Sequence, residues 1–533
     1  MSENTDSAGG LSRRLFFERL AAVGGLGLAI AGMEALGFGF ASAMAAPPPL
    51  QGGAKGTKVV ILGAGHAGMV SAYELNKAGY QVTVLEPRDI IGGRCQTARK
   101  GVKQTDLMGN TQTCDFDDGL YINVGPWRIP YHHRSTLHYT KLFGVQLESF
   151  VNDNDAAYVY FEKAKGPLAG KPIRKGQIAA DARGYTAEMV AKAASKGNLD
   201  AFVSAEDKEK FLAYIINEGR LSKKDLSYTG TDGRGYTVLP GAGTDPGPGK
   251  LTTPFAFHDV LDSNMWFLLN SVTEWDQQRT MLQPVGGMDQ IAMGFAKAAG
   301  NLVKLGTTVK KISQSPTGVS VAYVDKAGAP GVIEADYCIC TIPISVLKQI
   351  DIQVSAPFKA AMDKVSYTPV NKIGLQMKRR FWEDDPHMLY GGHIVMDDPA
   401  INTISLPSTG WQSQKGVLLG YYAFGADAVK MSVKKPADRA AYALAAGQKV
   451  FPEYTSSYET SFSKSWHLDE HNLGGWAEWS DESRATAYPI LTEPDGRIYL
   501  AGEHMSYIGG WQAGAIESAW QQIERLHARV QKA

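Results

Sequence analysis

Net charge, cysteine and internal repetition are all scarce in this chain. Its 54 lysines and arginines are matched by 54 aspartates and glutamates over 533 residues. A neutral balance without a long basic run gives no reason to expect nucleic acid as a partner. Four cysteines, Cys95, Cys114, Cys338 and Cys340, are too few to frame so long a chain with disulfides. Cys338 and Cys340 alternate along a strand-like run, so they face the same way. They are too close for an easy bridge and lack the spacing of a metal site. Buried free thiols are the expectation. No repeat is evident, and the hydrophobic share is ordinary for a soluble protein. The length suits two or three domains and a large core.

The one long apolar stretch is N-terminal. Leu20 to Ala46 is interrupted only by Glu34 and follows Ser12-Arg13-Arg14-Leu15-Phe16-Phe17, a twin-arginine pattern. Ala43-Met44-Ala45 resembles a signal-peptidase site, and Pro47-Pro48-Pro49 begins a stiff spacer. Residues 1–46 therefore read as a signal peptide for twin-arginine export, to the periplasm or beyond. Glu34 and the glycines around it argue against a stable membrane anchor.

The segment Val59 to Thr97 carries the strongest signal. An apolar run, Val59–Leu62, leads directly into Gly63, Gly65 and Gly68, spaced G-x-G-x-x-G. The first glycine allows a tight turn, the second a close approach of backbone to a pyrophosphate, and the third close packing of helix on strand. His66 and Ala67 begin the helix whose positive end faces the phosphates. A second apolar run, Val82–Leu85, ends in Glu86, eighteen residues past Gly68 and placed to accept from a ribose diol. Pro87 and Arg88 follow, then Gly92-Gly93-Arg94, which brings backbone N–H groups and a guanidinium to the same phosphates.

This is the pattern of FAD-binding proteins of the glutathione-reductase type, and the chain resembles the flavin-containing amine oxidase family. Further motifs extend the resemblance. Tyr499-Leu500-Ala501-Gly502-Glu503-His504, then Ile508-Gly509-Gly510-Trp511-Gln512-Ala513 and a helical run from Ile516 to Val530, is similar to the family's last flavin motif. The resemblance implies that Glu503 binds the ribityl or pyrophosphate part of FAD. It also implies that the helix opened by Gln512 and Ala513 faces the pyrimidine end of the ring, where reduction places negative charge. Val309 matches the family valine whose backbone pairs with adenine.

Asn123-Val124-Gly125-Pro126-Trp127-Arg128-Ile129-Pro130 resembles the corresponding segment of the L-amino-acid oxidase branch. Gly125, Pro126 and Trp127 hold the chain against the flavin. Arg128 projects over the substrate cavity, where a guanidinium fork matches a carboxylate in two parallel hydrogen bonds. Gly510 and Trp511 match the family's amine-accepting carbonyl and the aromatic wall beside it. Lys372, in Val370-Asn371-Lys372-Ile373-Gly374, falls where the family carries a lysine that holds a water against the flavin and assists its reaction with oxygen. Lys372 is the one catalytic candidate; Arg128, Gly510 and Trp511 are the candidates for the substrate.

Departures from the pattern matter. Where venom-type oxidases carry a tyrosine before a proline as second carboxylate ligand, this chain has Ser405-Leu406-Pro407, and Tyr421 or Tyr422 could serve instead. Residues 265–290 hold no histidine, so no protein base is assigned. Trp476 stands where monoamine oxidases carry the cysteine that bonds to FAD, which implies a non-covalent cofactor. Trp476 and Trp479 either line the cavity or pack the core.

The expected fold class is α/β: a Rossmann-like FAD-binding domain of the glutathione-reductase type, a mixed-sheet substrate domain and a helical insertion. The expected division is 57–114, 283–342 and 485–533 for FAD, 115–150 and 343–484 for substrate, and 151–282 for the insertion. Within the last, Ala187–Ala194 and Ala205–Glu218 have helical patterning, and the glycine- and proline-rich stretch Tyr228–Lys250 reads as a loop. The implied activity is oxidation of L-amino acids, large apolar or aromatic ones or a broad range, with oxygen as acceptor. An amine or polyamine oxidase, a decarboxylating amino-acid monooxygenase and a flavin-binding partner protein without turnover remain open. The resemblance also allows a homodimer.

Overall fold

A computed structural model describes residues 46–244, 246–270 and 274–532. The signal segment expected over 1–46 lies, except for its last residue, outside them. No helix among the described residues is long and apolar enough to cross a membrane.

The fold is organised around a five-stranded sheet of Val303–Lys304, Gln81–Leu85, Lys58–Leu62, Tyr337–Cys340 and Ile498–Leu500, in that order across the sheet. Every pairing in it is parallel. Parallel strands covered on both sides read as continuous apolar runs, and all of Val59–Leu62 is buried. On one face lie the helices His66–Lys77 and Gln512–Lys532, sharing a core of Ile61, Val70, Leu75, Ile339, Ile516, Ala519 and Ile523. The other face packs Val60, Leu62 and Leu85 on Val309, Ile312 and Val321, from a second sheet built mainly from the meander Thr308–Gln314, Val319–Val324 and Pro330–Ala335. Cys338 and Cys340 both point into this second core, and all four cysteines are free and buried.

A seven-stranded sheet faces this assembly. Its order is Tyr458–Ser465, Val370–Met377, Gly416–Phe424, Thr403–Leu406, Gly392–Met396, Tyr158–Tyr160 and Ile173–Arg174. Ile373, Leu375, Leu418 and Tyr421 point to its outer side, where Ala428, Met431, Ala440 and Ala443 of the helices Gly425–Ser432 and Pro436–Gln448 cover them. Side chains alternate along a strand, so Lys372 and its cross-strand neighbour Tyr422 take the inner side.

The helical reading of 151–282 needs correction at its start. Tyr158–Tyr160 and Ile173–Arg174 are the last two strands of the seven-stranded sheet, and helix begins only at Lys175. Lys175–Ser195 and Ala205–Gly219 then pack as a pair over Ala187, Ala191 and Leu221. The Ser204 hydroxyl accepts from Asp207 N–H and so caps the second helix. The stretch read as loop, Tyr228–Lys250, holds one 3-10 turn at Asp232–Arg234 and a short strand, Tyr236–Val238, paired with Lys250–Leu251. Arg234 forms a fully buried ion pair with Asp181, to which Tyr228 also donates at 2.8 Å. That contact anchors the stretch where its glycines would leave it free.

Candidate active site

A long cleft of about 1340 Å³, part of it open to solvent, runs from the carboxyl ends of the parallel strands to the inner side of the seven-stranded sheet. Gly63, Gly65, His66, Ala67, Glu86, Pro87, Arg88, Gly93, Arg94, Gly125, Pro126, Val309, Lys372, Glu503, Gly510, Trp511 and Gln512 all line it. Residues distant in sequence thus converge on one cavity.

The glycines divide by role. A Cβ at Gly65 would meet protein only at Gly93 Cα, 3.8 Å away, and would otherwise occupy the cleft. The two loops touch there, through a bridge of Gly65 with Gly92. Gly93 takes φ +58, and a Cβ on it would lie 3.0 Å from Gly65 Cα. A Cβ at Gly68 would instead fall 1.9 Å from the Gly63 carbonyl oxygen. Gly68 therefore serves helix packing and is not on the cleft wall. Gly125 is likewise a close-approach residue, since its Cβ would collide with the Arg94 carbonyl at 1.9 Å. Ala513 is buried under the wall and does not reach the cleft surface.

The Glu86 carboxylate is held by backbone. Oε2 accepts from Ala64 N–H at 2.7 Å and Oε1 from Arg88 N–H at 3.1 Å. Burial pushes its pKa up, against the pull of Arg88. Arg88 itself pairs with Asp469 at 2.5 Å. At the far end, Arg94 donates to Glu503 at 2.8 Å and to the Gly475 carbonyl at 2.7 Å. Glu503 also accepts from the N–H groups of Ala477 and Gly510. It ties the Gly92–Arg94 loop to the start of the C-terminal helix, and these three bonds occupy most of its roughly four acceptor positions. Backbone donors, a helix N-terminus and a glycine cradle at one end, with a buried acid beyond them, fit the pyrophosphate and ribose of FAD.

Lys372 Nζ donates to the Gly125 carbonyl at 2.6 Å and sits 4.1 Å from the centre of the Tyr422 ring. Burial, with help from Arg128, holds its amine well below the usual lysine range. Strand parity separates the two tyrosines. Tyr421 turns outward and donates to Asn371 Oδ1 at 2.9 Å, whereas Tyr422 lines the cleft. Leu406 is buried in the outer core. Trp476 lines the cleft; Trp479 packs against Tyr488 and donates to the His504 carbonyl.

Trp127 and Arg128 stand behind the wall. The guanidinium carbon of Arg128 is 4.9 Å from the Trp127 ring centre and 5.7 Å from that of Trp511. Nη2 donates to Gln277 Oε1 at 2.7 Å, while the buried Nε has no partner. No carboxylate among the described residues pairs with it. Burial lowers its pKa to about 10. His393 stacks on Trp127 at 4.9 Å and hydrogen-bonds Ser405 and Asn152. Burial and Arg128 push its pKa to about 3, so it is neutral at any working pH. Gln277, Asn152 and His393 carried no sequence signal: they come from unrelated segments and join no motif.

A doubly covered parallel sheet with a cleft at its carboxyl ends is the arrangement of dinucleotide-binding folds. The profile of the flavin-containing amine oxidoreductases matches residues 66–526, and the chain belongs to that family. FAD is accordingly its cofactor. An L-amino-acid oxidase of Pseudechis australis is 26% identical over 499 residues, covering 89% of this chain and 87% of the relative. The L-amino acid oxidase bordonein-L of Crotalus durissus terrificus is 28% identical over 483 residues, covering 86% and 85%. Among solved structures, a redesigned triple mutant of putrescine oxidase superposes with a TM-score of 0.59 at 18% identity, over 89% of this chain and 99% of that one. Cyclohexylamine oxidase from Brevibacterium oxydans gives 0.57 at 15%, over 90% and 99%. These two likenesses establish the fold.

Proposed function

We propose that this protein is an FAD-dependent oxidase of L-amino acids, with 2-oxo acid, ammonia and hydrogen peroxide as products. One observation carries the reading: Arg128 is a desolvated guanidinium without an acid partner among the described residues. Such a charge is costly to bury alone, and a substrate carboxylate repays the cost through a bidentate pair. The relatives named L-amino-acid oxidases support the same substrate.

FAD held in this cleft would supply the redox chemistry, as acceptor of a hydride and donor of electrons to oxygen. The residues of this chain do the rest. Gly63, Gly65 and Gly93, with Arg94 and the start of the His66 helix, would hold the pyrophosphate; Glu86 would take the ribose, and the Val309 backbone the adenine. Arg128 grips the acid end of the substrate and Tyr422 offers a second donor. The Gly510 carbonyl accepts from the amine, and Trp511 walls the side chain. Fixing both ends directs the Cα–H bond, and orientation of this kind lowers a barrier substantially. Lys372 keeps on the cavity wall an amine whose affinity for its proton burial has lowered, available to hold water and exchange a proton. With Trp476 at the covalent-link position, the cofactor is non-covalent. The division into FAD, substrate and insertion parts belongs to the same proposal, with the strands before Lys175 assigned to the substrate part. So does export by the twin-arginine route.

An amine oxidase is the second reading, favoured by Arg128 lying behind the cleft wall with one arm on Gln277. Peroxide release from L-phenylalanine, L-leucine and L-methionine against the amines that lack only their carboxylate decides. Turnover of the amino acids with 2-oxo acid as product supports the proposal. Amines oxidised equally well, an amide product, or no anaerobic bleaching of the flavin by any amino acid overturns it.

A further inference from the structure

Beside the cleft, outside every motif above, His132, His133 and Asp276 each bring one ligand atom to within 4.8 Å of the others. Two imidazoles come from consecutive residues at the start of the helix Arg134–Leu142, and the carboxylate from the segment that leads into the strand Thr280–Pro284. His132 Nε2 and Asp276 Oδ1 are already 3.2 Å apart. Donors around a tetrahedral zinc ion lie about 3.4 Å apart, given metal–nitrogen bonds of about 2.0–2.1 Å. The third donor needs only a side-chain adjustment to reach that spacing. His133 is 3% exposed, and its Nε2 has no hydrogen-bond partner; His132 Nδ1 is also buried and unpaired. Buried polar atoms are ordinarily satisfied, so the unpaired Nε2 of His133 indicates a ligand; His132 meets Asp276 through its other nitrogen, Nε2. Trp275 covers His132 at 4.8 Å, and His133 stands edge-on to Trp511 at 4.9 Å.

We propose that His132, His133 and Asp276 form a site for a zinc-type divalent cation at the side of the substrate cleft, and that its occupancy opposes substrate binding. Two nitrogens and one oxygen select zinc, nickel or copper over magnesium or calcium, which prefer all-oxygen shells. Three protein ligands leave a fourth position for water. The link to the cleft is short. Asp276 precedes Gln277, the acceptor of Arg128, and Trp511 lies between His133 and the Arg128 guanidinium. A cation clamping residues 132–133 to 276 holds Gln277 against Arg128, in competition with an incoming carboxylate. Cation and amino acid then weaken each other by the same factor. This competition rests on the assignment of Arg128 to the substrate; the binding site does not.

The test uses untagged holoenzyme, stripped with a chelator and titrated with Zn²⁺ by calorimetry, with metal content measured after gel filtration. One equivalent per chain is expected. His132→Ala and Asp276→Asn should each weaken uptake at least tenfold, with flavin absorbance and melting temperature unchanged. No uptake by the wild type, or equal uptake by both variants, overturns the site. In the wild type Zn²⁺ should raise KM for an L-amino acid severalfold at constant kcat, and the effect should vanish in His132→Ala. Zinc bound in one equivalent with KM unmoved overturns the competition. A chain that oxidises no amino acid would defeat the functional proposal and leave the titration to decide the site.

Discussion

Lys372 Nζ lies 2.6 Å from the carbonyl oxygen of Gly125, a bond that joins the seven-stranded sheet to the loop carrying Arg128. No carboxylate among the described residues balances the amine, and burial, then Arg128, lowers its pKa well below 10.5. The unfolded chain therefore binds the extra proton between the depressed value and 10.5. Stability from this group is complete above 10.5 and is lost as pH falls through that window, with no further change below it. Lys372→Met should remove this slope. The difference between wild-type and variant urea unfolding energies, followed over the alkaline range in the FAD-free protein, measures it; parallel curves would refute the depressed pKa.

The same variant separates the two half-reactions. Anaerobic reduction by substrate should change little, whereas reoxidation by oxygen should slow by about 10²-fold, as for loss of a positioned proton-transfer group. Stopped-flow absorbance of the flavin reads both.

Arg128→Ala should cost about 2–5 kcal/mol of substrate affinity, the scale for truncating one partner of a buried charged pair. That is roughly 30- to several-thousand-fold in kcat/KM, expressed in KM. Oxidation of the amine that lacks only the carboxylate should be nearly unaffected. Equal losses on both substrates would remove Arg128 from the site.

The second and third glycines of G-x-G-x-x-G should behave differently. Gly65→Ala adds a methyl group that finds space in the protein and intrudes only on the cleft. Folding stability of the FAD-free protein should stay within about 0.5 kcal/mol, while FAD is lost on dialysis. Gly68→Ala meets the Gly63 carbonyl and should destabilise folding by about 1–3 kcal/mol. Urea unfolding and flavin content measured on both variants test the contrast.

Replacing Arg13 and Arg14 by lysines should retain the protein in the cytoplasm, with the N-terminal segment uncleaved. Cell fractionation and N-terminal sequencing read the outcome; export that continues would refute the route.

The cofactor half was legible because its signals are local. A glycine turn, an acid at the end of the next strand and a helix-opening motif each announce themselves within a few residues. Val59–Leu62 could be read as a buried parallel strand from four consecutive apolar side chains. The short strands at Tyr158–Tyr160 and Ile173–Arg174 were not legible, because such strands acquire their identity only from the sheet they join. The substrate end was legible as candidates. Tyr421 and Tyr422 were equivalent until strand register placed Tyr422 opposite Lys372 and turned Tyr421 to the outer core.

From residue order alone came the dinucleotide cradle, the family and the identity of the buried cations Lys372 and Arg128, since those depend on spacing along a few residues and on side-chain chemistry. What only folding decided is the surroundings of those cations. Gln277 on Arg128, His393 stacked on Trp127 and the His132–His133–Asp276 cluster bring together positions more than a hundred residues apart. Charges in a low-dielectric interior are governed by whatever lies within a few ångströms, and that neighbourhood is a property of packing.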